Sequence, residues 1–210
     1  MSGIPHRGST RFIFLVPAIL FGFLFQIQET SAQGINLVPN GTLEKPNPTD
    51  AKKPMYWDYN SWGGATNGAF VYLTDSSGNH SVHTQILSGT GTLPCSSGDA
   101  KWWTTPFTIP AGGGSYLVSD TYRSNVDSQL MVECSLASGG SAYVTVASPK
   151  ASSGWTVLQN VVTIPAATTK VRPIHKICAT GFLETDNYVM RKGGTTAQDS
   201  GPTVTDSYVP

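Results

Sequence analysis

Charge is scarce in this sequence. Only 12% of its 210 residues are Asp, Glu, Lys or Arg, and 13 basic side chains balance 13 acidic ones. A typical globular chain carries about twice that fraction. Such a balance offers no basic patch, so neither nucleic acid nor an anionic membrane is an expected partner. Cysteine is also rare: the three are Cys95, Cys134 and Cys178. They allow at most one internal disulfide plus a free thiol, and the pairing is left open. No two of them have zinc-ligand spacing. There is no G-x-S-x-G elbow, no H-E-x-x-H and no pair of metal-binding histidines. The in-domain acids are few (Glu44, Asp58, Asp99, Asp120, Glu133, Glu184, Asp186), and nothing marks two of them as the acid and base of a glycosidase. A non-catalytic role is therefore expected.

Long apolar runs are confined to the N-terminus. His6, Arg7 and Arg11 precede an apolar stretch from Phe12 to Phe25, and Thr30-Ser31-Ala32 places small residues before Gln33. This is the layout of a secretory signal peptide over residues 1–32, with an uncleaved anchor as the alternative. The run is short for a membrane span. A secreted, extracellular chain follows, with no membrane association after cleavage, and residues 33–210 are enough for one domain with a proper core.

Beyond the leader no helical period appears. Short apolar runs recur instead: Ala69–Leu73, Ser81–Leu87, Lys101–Phe107, Ser115–Ser119, Gln129–Cys134, Ala142–Val146, Thr156–Ile164, Lys170–Ile174 and Asn187–Met190. Gly/Ser clusters separate them. Many short strands with such turns predict an all-β, antiparallel sandwich over residues 33–190. Residues 191–210 are polar and rich in Gly, Thr and Ser, and read as a flexible tail or a shortened linker.

Five stretches stand in a telling order: Asn36-Leu-Val-Pro-Asn-Gly-Thr-Leu-Glu44, Pro54-Met-Tyr-Trp57, the Ser119–Ser124 run SDTYRS, Gly154-Trp155 followed by VVTIP, and Gly181-Phe-Leu-Glu-Thr-Asp-Asn-Tyr188. Together they resemble the galactose-binding-like carbohydrate-binding modules of the family 4/9/16/22 type, across roughly residues 35 to 190. Leu43 departs from the usual Phe, and Asn187 stands where a second Asp is common. The resemblance implies a jelly-roll sandwich that binds a polysaccharide or oligosaccharide as a monomer. It also implies a structural Ca2+ held by Glu44 and Asp186 with backbone carbonyls. Such modules accompany polysaccharide-degrading enzymes, including deacetylases, so an accessory fragment of such an enzyme is one alternative. A protein-binding cell-surface sandwich is another.

Sugars offer C–H faces to aromatic rings and hydroxyl edges to polar side chains, and Trp and Tyr serve both at low entropic cost. Trp62, in a Gly-rich loop, is one candidate ligand contact. Trp102 and Trp103 are adjacent, so a strand must turn one inward and one outward. Lys101 and Thr105 share parity with Trp103, which favours Trp103 outward. Trp57 and Trp155 read as core residues. Asp120, Tyr122 and His175 read either as a polar sugar-binding cluster or as a satisfied internal pair. A buried Asp120 needs a partner, and Lys101, Arg123 or His175 could supply it.

Overall fold

The structure is a computed structural model that describes residues 34–65, 67–109 and 113–193. The leader over 1–32 and the tail from residue 194 lie outside the described residues. Thirteen strands follow in chain order: β1 Pro46–Asn47, β2 Asp50–Pro54, β3 Trp57–Ser61, β4 Gly68–Thr74, β5 His80–Thr90, β6 Ala100–Thr104, β7 Phe107–Thr108, β8 Gly114–Ser124, β9 Gln129–Leu136, β10 Ser141–Ala147, β11 Ser152–Ile164, β12 Thr168–Ile177 and β13 Ala179–Lys192. The last strand runs two residues past the domain boundary at 190 read from the sequence.

Three antiparallel sheets result. β1 and β2 form a hairpin. The front sheet has six strands in the order β10-β9-β12-β6-β3, with β7 also on β12. The back sheet has five, in the order β11-β8-β13-β5-β4. The expected all-β antiparallel sandwich is what forms. Alternation explains the layering. On β9, Leu130, Val132 and Cys134 face the interior, and on β8 Tyr116 and Val118 do so. They meet Trp57, Trp102, Ile164 and Tyr188 in one apolar core. Fully burying side chains of this size contributes about 1.5–3 kcal/mol each.

The two ends of the described domain are tied together by the first and last motifs. The Asn36 amide donates to the Tyr188 carbonyl at 2.9 Å, and its oxygen accepts from the backbone of Val38 and Met190. A Cβ at Gly41 would stand 2.3 Å from the Tyr188 carbonyl oxygen, so only glycine allows this approach. At the other end of the sandwich, Cys95 and Cys178 form the disulfide, and Cys134 is free and buried.

The bridge closes an 83-residue separation, so replacing both cysteines by serine is expected to cost about 2–4 kcal/mol of unfolding free energy. Denaturant melts check this. In the wild type, thiol titration should find one reactive thiol, and only after unfolding.

Candidate functional site

β6 divides its two tryptophans as alternation requires. Trp102 points inward and is 1% exposed. Its indole N–H donates to the His83 carbonyl at 3.0 Å, and its ring meets Tyr59 edge-on. Trp102 is therefore a core residue in this fold and offers no surface to a ligand, a correction to its place among the candidate contacts. Trp103 points outward. The Arg172 guanidinium lies 4.0 Å from its ring centroid and the Lys101 ammonium 5.1 Å.

Strand pairing builds a grid around Trp103 on the outer face of the front sheet. One row across the strands runs Thr145, Met131, Ile174, Trp103, Asp58. On one side of it runs a polar row, Gln129, Lys176, Lys101, Asn60. On the other side stand Tyr143, Glu133 and Arg172. The middle of this grid is shielded: Ile174, Lys101, Lys176 and Gln129 are buried, while Tyr143, Thr145, Asp58 and Asn60 at the edges are exposed. The face thus has a shielded centre between exposed margins, and we read it as a trough. Its edge strands lie four strand spacings apart, roughly 19 Å, which is long enough for several sugar rings.

The trough is electrostatically organised. Arg172 pairs with Glu133 at 2.6 Å. Asp99, at the mouth of β6, pairs with both Lys101 and Lys176. Partial burial pushes the Tyr143 phenol up, as do the carboxylates of Glu133 and Asp99, while Arg172 opposes them. The Gln129 side-chain oxygen is buried with no hydrogen-bond partner.

Trp62 lies just past β3 and is 47% exposed. Its backbone N–H donates to the Asp99 carbonyl at 3.0 Å, and Gly64 N–H to Ser97 at 2.8 Å. Gly98 adopts φ +141°, and a Cβ there would stand 2.3 Å from the Trp62 carbonyl oxygen. Two loops are thereby locked beside the polar row, and Trp62 stands next to it.

Asp120, Tyr122 and His175 do come together, but inside the sandwich. Asp120 Oδ2 lies 2.6 Å from His175 Nδ1, and both side chains are fully buried. His175 Nε2 lies 2.8 Å from Ser128 Oγ. The Tyr122 ring packs 5.4 Å from the imidazole, and its hydroxyl donates to the Lys150 carbonyl. Of the two readings, the internal pair describes this cluster, but it is not fully satisfied: Asp120 Oδ1 is buried without a hydrogen-bond partner among the described residues. Its three members face the core because they share parity with Tyr116, Val118 and Val171, so they are corrected from candidate ligand contacts to interior residues. The Ser-His-Asp arrangement has the connectivity of a nucleophilic triad. Ser128 is 0% exposed, so no substrate carbonyl can reach it.

Glu44 and Asp186 are near one another at the joined chain ends. Asp186 is buried, which pushes its carboxyl up to about 6; Glu44 and Asp75 add to the rise, against hydrogen bonds from Asn79 and the Asn187 backbone. Burial, with Glu44 and Asp186, also pushes the Tyr72 phenol up to about 12, and its hydroxyl donates to the Leu43 carbonyl. Glu44 accepts from the His80 backbone at 2.9 Å and meets its imidazole at 2.9 Å. Hard oxygen donors in a negative field suit calcium. Among the described residues no group of three or more His, Cys, Asp or Glu could hold a metal, so carbonyl and amide oxygens must complete any such set.

Trp155 departs from the core role expected of it. The β11–β8 register shifts between Ser152 and Thr156, and Trp155 emerges 45% exposed on the back sheet, with Arg123 5.2 Å from its ring. Arg123 pairs with Glu184 at 2.6 Å, and Glu184 with His83 at 3.0 Å. Sequence reasoning also passed over Tyr143, Lys176, Arg172 and Gln129. Their outward parity was readable, but the strand order that collects them was not.

No protein-family model matches the sequence, and no curated protein matches it. Solved structures do share its fold. One is the enzymatically active domain of tailspike protein 4 of bacteriophage CBA120, at TM-score 0.55 and 10% identity, over 75% of this chain and 21% of that one. The CBM22-1–GH10 modules of Clostridium thermocellum xylanase 10B match at TM-score 0.52 and 10% identity, over 78% and 29%. The CBM22-1 xylan-binding domain of Paenibacillus barcinonensis Xyn10C matches at TM-score 0.51 and 14% identity, over 77% and 98%. The chain thus spans less than a third of the first two and nearly all of the third. The chain shares the β-sandwich fold of these domains.

The interior cluster gives a test. Asp120→Ala or His175→Ala leaves a buried polar partner uncompensated and is expected to cost about 3–5 kcal/mol of stability in chemical denaturation. Ser128→Ala should leave a folded protein with unchanged ligand binding, which calorimetry of the same variant checks.

Proposed function

We propose that this chain is a secreted, non-catalytic, monomeric module that binds polysaccharide in the trough of the front sheet. The observation that carries the reading is the trough itself: a shielded polar row and Trp103 at its floor, exposed Tyr143 at one margin and Trp62 beside the other. A chain of sugar rings lies across the strands, with ring faces on Tyr143, Trp62 and the free part of Trp103, and hydroxyls on Asn60 and Glu133. The xylan-binding description of the Paenibacillus barcinonensis domain, which has this fold, supports a polysaccharide ligand. So does the xylanase context of the Clostridium thermocellum modules, and an accessory place beside a polysaccharide-active enzyme fits it.

A glycan panel probed with the full chain tests this. At least one polysaccharide should be retained, with no release of reducing ends. Tyr143→Ala or Trp103→Ala should weaken binding about tenfold or more, as buried aromatic anchors do. Trp155→Ala should not. Retention lost only in Trp155→Ala would move the site to the back sheet, where Trp155, Val157, Leu87 and Val71 are exposed. A folded protein that retains no glycan would leave that back face as a protein-contact surface instead.

Calcium is the second part of the proposal. Glu44 and Asp186 would hold the ion with oxygen donors of the joined chain ends, and the ion would neutralise their mutual repulsion. Millimolar CaCl2 is expected to raise the melting temperature at pH 7 relative to chelator. Asp186→Asn should remove that difference; an equal rise in the variant would rule the pair out as ligands.

A further inference from the structure

We infer that the polar row of the trough is built for an acidic sugar, a uronate-bearing polysaccharide rather than a neutral one. The inference rests on the trough being the sugar site, and it concerns the charge left over there. Asp99 serves two ammonium groups at once, Lys101 in direct contact and Lys176 at 3.2 Å. Among the described residues, Arg172 is matched by Glu133. At the centre of the face three cations therefore meet two carboxylates, although the whole chain is formally neutral. Further along β12, exposed Lys170 adds to the positive side, while Asp58 at the edge is paired with Lys53.

The excess sits where it is costly. The Lys101 and Lys176 side chains are only 9% and 10% exposed. A shielded ammonium without its own counter-charge loses hydration that nothing in the protein replaces. Among the described residues, Lys176 finds the Pro94 carbonyl besides Asp99. A ligand carboxylate answers this: it accepts charge-assisted hydrogen bonds from the exposed edges of the two ammonium groups. A uronic acid carries that group. A neutral sugar leaves the charge unanswered.

The test compares polygalacturonate, alginate and glucuronoxylan with their carboxyl-reduced forms, alongside neutral β-glucan, by affinity electrophoresis and calorimetry of the full chain. The expected result is retention on at least one acidic polymer, at least tenfold weaker after carboxyl reduction and weakened further by salt. Lys176→Met leaves Asp99 paired with Lys101, so the fold should persist, and it should lose about tenfold on the acidic polymer. Lys176→Arg should keep most of the binding, which separates charge from packing. Equal binding to acidic and reduced polymers, or indifference to Lys176→Met, overturns the acidic class and leaves the sugar site standing. Equal retention on dextran sulfate overturns it too, since charge alone would then suffice. No retention on any polymer by a folded protein overturns the sugar site and this inference together.

Discussion

A strand can present only every second side chain to the core, and that constraint organises this molecule. On β6 it commits Trp102 to the interior and Trp103, with Lys101, to the outside. The neighbouring strands obey the same rule. Val171, Pro173 and His175 of β12 turn inward while Arg172, Ile174 and Lys176 turn outward, and β9 follows in register. Core and trough are thus two faces of one set of strands. A one-residue slip of β6 would exchange them, burying Lys101 and Trp103 and exposing the core tryptophan.

With few charges, the protein places them where they act on one another. Nearly all the ion pairs join neighbouring strands or loops at sheet faces: Arg172 with Glu133, Arg123 with Glu184, and the lysines with Asp99. Among the described residues, the exception is the buried Asp120–His175 contact, which joins β8 of the back sheet to β12 of the front sheet. This contact, with the Trp102 N–H to His83 carbonyl bond between β6 and β5, links the layers and favours one alignment of the two sheets over sliding alternatives. The disulfide and the locked glycine loops do for the sandwich end what this link does for its middle. They hold Asp99 where two lysines can share it.

Much of the fold was legible. Alternating apolar runs between Gly/Ser turns announced the strands, and the motifs at Asn36–Glu44 and Gly181–Tyr188 announced a joined pair of chain ends. The outward lean of Trp103 came from the company it keeps, Lys101 and Thr105. The candidate site was less legible. Asp120, Tyr122 and His175 carry the residue types of a sugar site, but parity with Tyr116 and Val118 puts them inside. Trp155 follows a turn as a core tryptophan would, and a register shift turns it out. Parity is a local property, whereas a bulge depends on the partner strand.

The sequence by itself determined the strand content, the two faces of each strand and the shortage of charge, because these follow from residue type and a two-residue period. Only the tertiary structure decided which strands lie side by side. That order assembled Gln129, Lys176, Lys101 and Asn60, from four strands, into one row. It also chose Cys178 over Cys134 as the partner of Cys95. Strand order is set by the packing of two whole sheets against each other, a non-local balance of burial and chain connection that no short stretch of residues encodes.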